Sequence, residues 1–310
     1  MTPVPAAPPP NVLLASLALG GAIACSVTIA VMLRRVEARR GNRLVVIAAN
    51  YVTAVAGSLL AWGFEGFPAV GAFTGGLGLL GGVVFIGTFL LMTAAIGKVG
   101  IAIPVSVTRL AVVVPILVSM VGYGETPDRF GVAGLLLALV ALVLFGVAVA
   151  ARAGEGATGA PGRWRAALGA WVPVVGLFLA MGTVEVVLKV FKENRPAGAP
   201  YQPFGFLLVI FGTALVIAWS SVRWKGAAVR RPDLLTGLAL GVPNILSTVF
   251  FLYALRGLPG IVAFPVNAMS IIVLSTAAGI VIWREHPTRK GWAALACAVL
   301  SIVCINFSGR

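Results

Sequence analysis

The sequence predicts an all-α membrane protein: ten transmembrane helices arranged as two inverted five-helix repeats. Three observations predict this. The chain has 310 residues, of which 60% are hydrophobic and 10% charged, with a mean hydropathy of +1.04. A soluble domain carries roughly 25% charged residues. The apolar residues gather into ten continuous stretches of the length that crosses a bilayer as a helix. The second five stretches echo the first at an offset of about 160 residues. Barrel strands are not expected, because the stretches are unbroken apolar runs rather than short alternating ones.

Residues 1–10 are rich in Pro and Ala and read as a disordered tail. The first span, 11–34, lacks a basic leader and is too long for a signal peptide, so it is expected to remain as a helix. The spans that follow are 43–63, 69–96, 99–122 and 130–151, completing the first repeat at 11–151. A Gly- and Ala-rich linker, 152–166, leads to the second repeat at 167–310. Its spans are 167–191, 203–222, 233–255, 259–283 and 291–307. Trp62, Trp164, Trp171, Trp219, Trp224, Trp283 and Trp292 sit at or near span ends, where aromatic belts form. Cys25, Cys297 and Cys304 lie inside apolar stretches and read as small hydrophobes without a structural disulfide.

The net charge of +14 is distributed by loop. The loops after the odd-numbered spans carry 16 of the 23 Lys and Arg residues, the opposite face carries 6, and Arg109 lies within a span. The positive-inside rule places the richer face in the cytoplasm and both termini outside. A basic surface of this kind meets anionic lipid headgroups, not nucleic acid.

Small residues let membrane helices approach closely. Gly71/Gly75 and Gly78/Gly82 in or beside the third span, and Gly237/Gly241 in the eighth, have that spacing. Spans 4 and 9 open alike, with Gly100 before Pro104 and Gly260 before Pro265. Each proline frees a carbonyl one turn back, so Pro104 and Pro265 are the expected hinges beside a wet cavity.

The repeat is sharpest at two hairpins. Gly97-Lys98-Val99-Gly100-Ile101 parallels Gly257-Leu258-Pro259-Gly260-Ile261, and Glu125, Pro127, Arg129 and Gly131 parallel Glu285, Pro287, Arg289 and Gly291. These duplicated hairpins resemble the EamA-like branch of the drug/metabolite transporter superfamily over spans 3–5 and 8–10. The resemblance implies a central cavity lined by spans 1, 3, 4, 6, 8 and 9, and export or exchange of small metabolites such as amino acids. This chain departs from the family pattern twice. Its charge bias opposes the usual cytoplasmic termini, and Arg284 stands where Gly is typical.

Few residues inside the spans can carry chemistry. Arg109 lies near the bilayer centre, where a cation is costly and marks function by default. Its planar fork suits a carboxylate or phosphate, so it is the expected anchor for an anionic or zwitterionic substrate. Glu185 is the acid well inside a span, with Lys189 at i+4 on the same helix face. Glu185 has three readings: neutralising Arg109, coupling transport to protons (with Lys189 the other coupling candidate), or pairing with Lys189. Ser106 and Thr108 flank Arg109, while Asn244 and Asn267 follow Pro243 and closely follow Pro265; all four are candidate lining residues. Asn50 lies in a less central span. Glu125 and Glu285 fall on opposite faces and favour helix starts through the macrodipole, with Thr126 and Pro127 as expected N-cap and N1 of the fifth span.

These features favour a secondary transporter working as a monomer or homodimer without a cofactor. The alternatives are a passive facilitator on the same scaffold, or a multidrug exporter that engages cations through Glu185. An enzyme is not expected, since no His lies in a span and no nucleotide-binding motif is present.

Overall fold

The computed structural model describes residues 11–99, 102–153, 163–194, 201, 203–284 and 288–307. The described residues form eleven helices: α1 (Val12–Ala38), α2 (Arg43–Phe64), α3 (Ala72–Val99), α4 (Ala102–Leu110), α5 (Val113–Tyr123), α6 (Arg129–Ala153), α7 (Arg163–Glu193), α8 (Pro203–Trp224), α9 (Arg231–Gly257), α10 (Gly260–Trp283) and α11 (Arg289–Phe307). Seven of them, α1, α2, α3, α7, α8, α9 and α10, contain segments long and apolar enough to cross a membrane. The regular structure of the described residues is helical throughout, and the seven apolar helices are compatible with a multi-pass membrane protein.

Nine of the ten predicted spans coincide with one helix each. The fourth is split: α4 ends at Leu110 and α5 begins at Val113. The break lies at Ala111–Val112, beyond Pro104, one of the two expected hinges. Pro104 is the third residue of α4, where a backbone N–H has no partner within the helix in any case. Pro115 follows the break, and its missing N–H cannot reach Ala111; that carbonyl instead accepts from Val114 at 3.0 Å in a tighter turn. Pro265 sits inside α10, which runs on unbroken. α6 runs to Ala153 and α7 begins at Arg163, and residues 154–162 of the predicted linker lie outside the described residues. The tail at 1–10 lies outside the described residues.

Helix starts are read from side chains that satisfy orphan N–H groups. Asn11 accepts from Leu13 and Leu14, and Asn42 from Leu44 and Val45. The expected cap of α6 at Thr126 moves two residues on: Asp128 Oδ1 accepts from Gly131 N at 2.7 Å. Thr288 does the same for Gly291 at 3.1 Å, at the same offset. The preceding helices also end alike. Gly124 closes α5 at φ 67° and Arg284 closes α10 at φ 54°, both left-handed.

In packing, α1, α9, α2, α8, α3 and α7 each lie against the next. α4 and α5 adjoin α7, and α10 links α5 back to α1, closing a ring. α6 and α11 pack on each other outside it, against α4 and α10 respectively. Helices approach where glycines remove bulk. A Cβ at Gly82 would lie 2.5 Å from the Ile210 carbonyl and 2.5 Å from Thr213 Cβ. A Cβ at Gly241 would lie 2.5 Å from the Asn50 carbonyl and 2.5 Å from Thr53 Cβ. Gly78 meets Val209 and Phe206, and Gly237 meets Ala49 and Val46. Partner for partner, these contacts recur 159 or 160 residues apart. Gly71 and Gly75 do not belong to this seam: neither meets a neighbouring helix. At the ring's waist Tyr51, Phe211 and Phe85 gather with ring centroids 6.0–6.4 Å apart.

Candidate functional site

The broken helix places Arg109 in the last turn of α4, with Ala111 and Val112 buried just beyond it. Its side chain is half-buried, and its carbonyl accepts from Val112 N across the break. α4 packs on α3, α6 and α7. Glu185 lies on α7, half-buried, one turn after Gly182, which accommodates Val114 of α5. Glu185 therefore sits on the α7 face turned toward the broken segment. Among the described residues, no ion pair joins Arg109 or Glu185 to anything, and none joins them to each other.

Lys189 behaves otherwise than expected. It does not pair with Glu185. Its side chain is fully buried and bridges Glu125 of the α5–α6 loop and, at 3.0 Å, Glu193 of its own helix. The Tyr123 ring lies 5.3 Å beneath its ammonium. Burying a cation is costly unless it is paired and hydrogen-bonded, and here two carboxylates and an aromatic face surround it. The second oxygen of Glu125 accepts from Ile261 N at 2.8 Å, in the first turn of α10. That helix starts at Pro259-Gly260 and has no capping side chain of its own. Glu125 does favour a helix start, as its charge implies, but the helix is α10 rather than α6. A sequence signal existed: an N-terminus without Ser, Thr, Asp or Asn at its cap needs an acceptor from elsewhere.

The neutral candidates spread around the ring. Asn267 on α10 is half-buried, and its side-chain oxygen is buried without a hydrogen-bond partner. An acceptor buried without a partner is costly. Asn244 on α9 is half-buried, and its carbonyl accepts from Ser247 and Thr248, the ordinary back-bonding of helical hydroxyls. Thr108 is half-buried on α4; the Ser106 side chain, Glu285 and His286 lie outside the described residues. Asn50, set aside as less central, is buried on α2 with its side-chain oxygen also unpartnered. The structure brings Arg109 and Glu185 onto adjoining helices. Asn244 is on α9, whose main neighbours are α1 and α2, and Asn267 is on α10, which packs on α1, α5 and α11.

The two ends of the ring differ. At the Lys189 end, Phe191 stacks on Phe206 at 4.0 Å, Tyr201 meets Phe191 and Tyr253, and Phe251 meets Phe264. Phe191, Phe206, Phe264, Leu252 and Leu255 are all but fully buried there. At the other end an open cleft of about 450 Å³ lies among Asn42, Arg43, Leu44, Phe89, Leu90 and Lys225. The 22 residues of α8 separate these ends, roughly 33 Å at 1.5 Å per residue.

No family model matches the chain. An uncharacterized protein of Haemophilus influenzae is 25% identical over 297 residues, covering 92% of this chain and 96% of its own length. A crystal structure of a protein 18% identical superposes with a TM-score of 0.68, covering 94% of this chain and 97% of the other. The second likeness speaks for the fold alone: an arrangement of this size and order exists in an experimentally determined protein.

Proposed function

We propose that the chain is a secondary transporter of the EamA-like drug/metabolite type, built from two inverted five-helix repeats and residing in a cell or inner membrane. The carrying observation is the recurrence of interhelical glycine contacts at an offset of 159–160 residues. α2–α9 contacts in one place are α8–α3 contacts in the other, as expected of two copies facing each other across one axis. An odd number of spans per copy turns the second copy over in the membrane, and the substrate site of such proteins lies between the halves near the midplane.

The cargo in this reading is a small anion or zwitterion such as an amino acid. Arg109 receives its carboxylate with a bidentate fork. Glu185, on the adjoining helix and without an ion partner among the described residues, meets the ammonium group or carries a coupling proton. Asn267 supplies an acceptor already short of a donor. Access alternates by rocking of the two halves, with the α4–α5 break as the flexible point. The basic cleft end faces the cytoplasm and both termini lie outside, by the distribution of Lys and Arg.

Counterflow in proteoliposomes tests the reading. Preloading with unlabelled alanine, glutamate or a related solute is expected to accelerate uptake of the labelled one in a saturable way. Flux that rises linearly with concentration and shows no counterflow would instead make the protein a passive facilitator.

A further inference from the structure

We propose that the Lys189–Glu125 pair is a latch that holds one mouth of the pathway shut by tying α7 to the start of α10. The inference rests on the transporter reading above and adds the residues that control access.

Three helices meet at this point. α7 brings Lys189, α5 ends in Ser119, Tyr123 and the Glu125 turn, and α10 begins at Gly260. Each is held by Glu125 or its neighbours. One Glu125 oxygen takes the Lys189 ammonium and the other takes the Ile261 N–H. Gly124 and Glu125 both return their N–H groups to Ser119 O, fixing the turn that presents the carboxylate. Tyr123 donates to Asn194, tying α5 to the residue after α7 a second time. Among the described residues, the other charges on the Lys189 pair are Glu193, on Lys189, and Lys192, which reaches Glu193 at 2.5 Å.

The space beneath the pair is small and filled. A Cβ on Gly260 would overlap Ser119 Oγ and come within 3.2 Å of Lys189 Nζ. Ser119 is wholly buried, and its hydroxyl has no hydrogen-bond partner. Water cannot reach that hydroxyl while the three helices touch. Separation of α10 from α7 would wet it and would free the Lys189–Glu125 pair to be solvated. The pair is therefore intact in the closed mouth and broken in the open one. Its position fits this use: the packed aromatic residues Phe191 and Phe206 are at the same end, and the cleft lies at the opposite end. An ionic contact suits a latch better than an apolar one, because water entering on opening replaces much of what the break removes.

The test is thiol accessibility at position 119. Ser119→Cys is made in a chain whose Cys25, Cys297 and Cys304 are replaced by Ala, in sealed vesicles with a membrane-impermeant maleimide added to either side. With the latch intact, the introduced thiol is expected to stay protected. In the Glu125→Gln background it is expected to react at least about tenfold faster, from one side only, since losing one partner of a buried pair strongly favours the state that exposes the other. Glu125→Gln leaves Lys189 with Glu193 as its one remaining carboxylate among the described residues and can fail to fold. Lys189→Met combined with Glu125→Gln removes both charges, keeps the acceptor for Ile261 N–H, and is expected to label equally fast. Unchanged protection in both variants, with native elution and unfolding temperature, would overturn the latch. Faster labelling without any counterflow would leave the latch standing and remove the transporter reading.

Discussion

Gly241 faces Thr53 at a separation where an added Cβ would lie 2.5 Å from the threonine Cβ. Thr53 in turn donates its hydroxyl to the Leu238 carbonyl at 2.8 Å, so α2 and α9 are joined by backbone contact as well as packing. Gly241→Leu is expected to destabilise the fold by about 3 kcal/mol or more, beyond ordinary overpacking, because the clash is with backbone and a β-branched residue. Gly75→Leu, at a position where only Val70 comes within 4 Å, is expected to be near neutral. Thermal unfolding of the two purified variants checks the contrast.

Arg284 occupies the left-handed position that Gly124 fills in the other half. An L-residue with a side chain is strained there by about 1–2 kcal/mol, whereas glycine is not. Arg284→Gly is expected to raise the unfolding temperature by about 2 °C, and Gly124→Arg to lower it. A melting series on both variants reads the sign directly.

Arg109→Ala is expected to cut transport of a carboxylate solute by about tenfold or more while leaving membrane insertion intact, since a charge-assisted bond contributes about 1.5–3 kcal/mol. Arg109→Lys keeps the charge without the fork and is expected to recover only part of the rate. Counterflow assays on vesicles matched for protein content separate these outcomes.

Glu185→Gln removes the one acid within the α7 face that turns toward the broken segment. If that carboxyl carries the coupling proton, the variant is expected to show a flat pH profile for uphill transport while counterflow persists. An unchanged profile would leave Glu185 as a substrate contact alone.

Pro115→Ala restores the donor that the α4–α5 junction lacks. The variant is expected to gain helix across Ala111–Val112 and to slow turnover by several-fold with little change in substrate affinity, as hinge variants do. Initial-rate kinetics in proteoliposomes distinguish this from a binding defect.

Much of the fold was legible from composition alone. Helix ends fell within a few residues of the apolar stretches because a membrane leaves backbone groups no partner outside the helix. The split of the fourth span was not legible. Pro104, Pro115 and Pro265 all lie in apolar stretches, and only their distance from a helix start tells which one interrupts it. The in-span charges Arg109 and Glu185 stood out because burial makes any charge conspicuous. The Lys189–Glu125 contact did not, since its partners are 64 residues apart and helical spacing offered Lys189 a nearer partner in Glu185. Tertiary geometry overruled that local choice by turning Lys189 toward the end of α5.

The interruption at Ala111–Val112 has no counterpart in α10, which passes through the corresponding stretch intact. Two identical copies trading shapes would arrive at end points of equal energy, like a coin with the same stamp on both sides. One copy that bends in mid-course and one that stays straight cannot do so. If the chain is the proposed transporter, the shapes its halves exchange then differ in energy at rest, and Pro115, matched by Ser275 at an offset of 160, contributes to that difference.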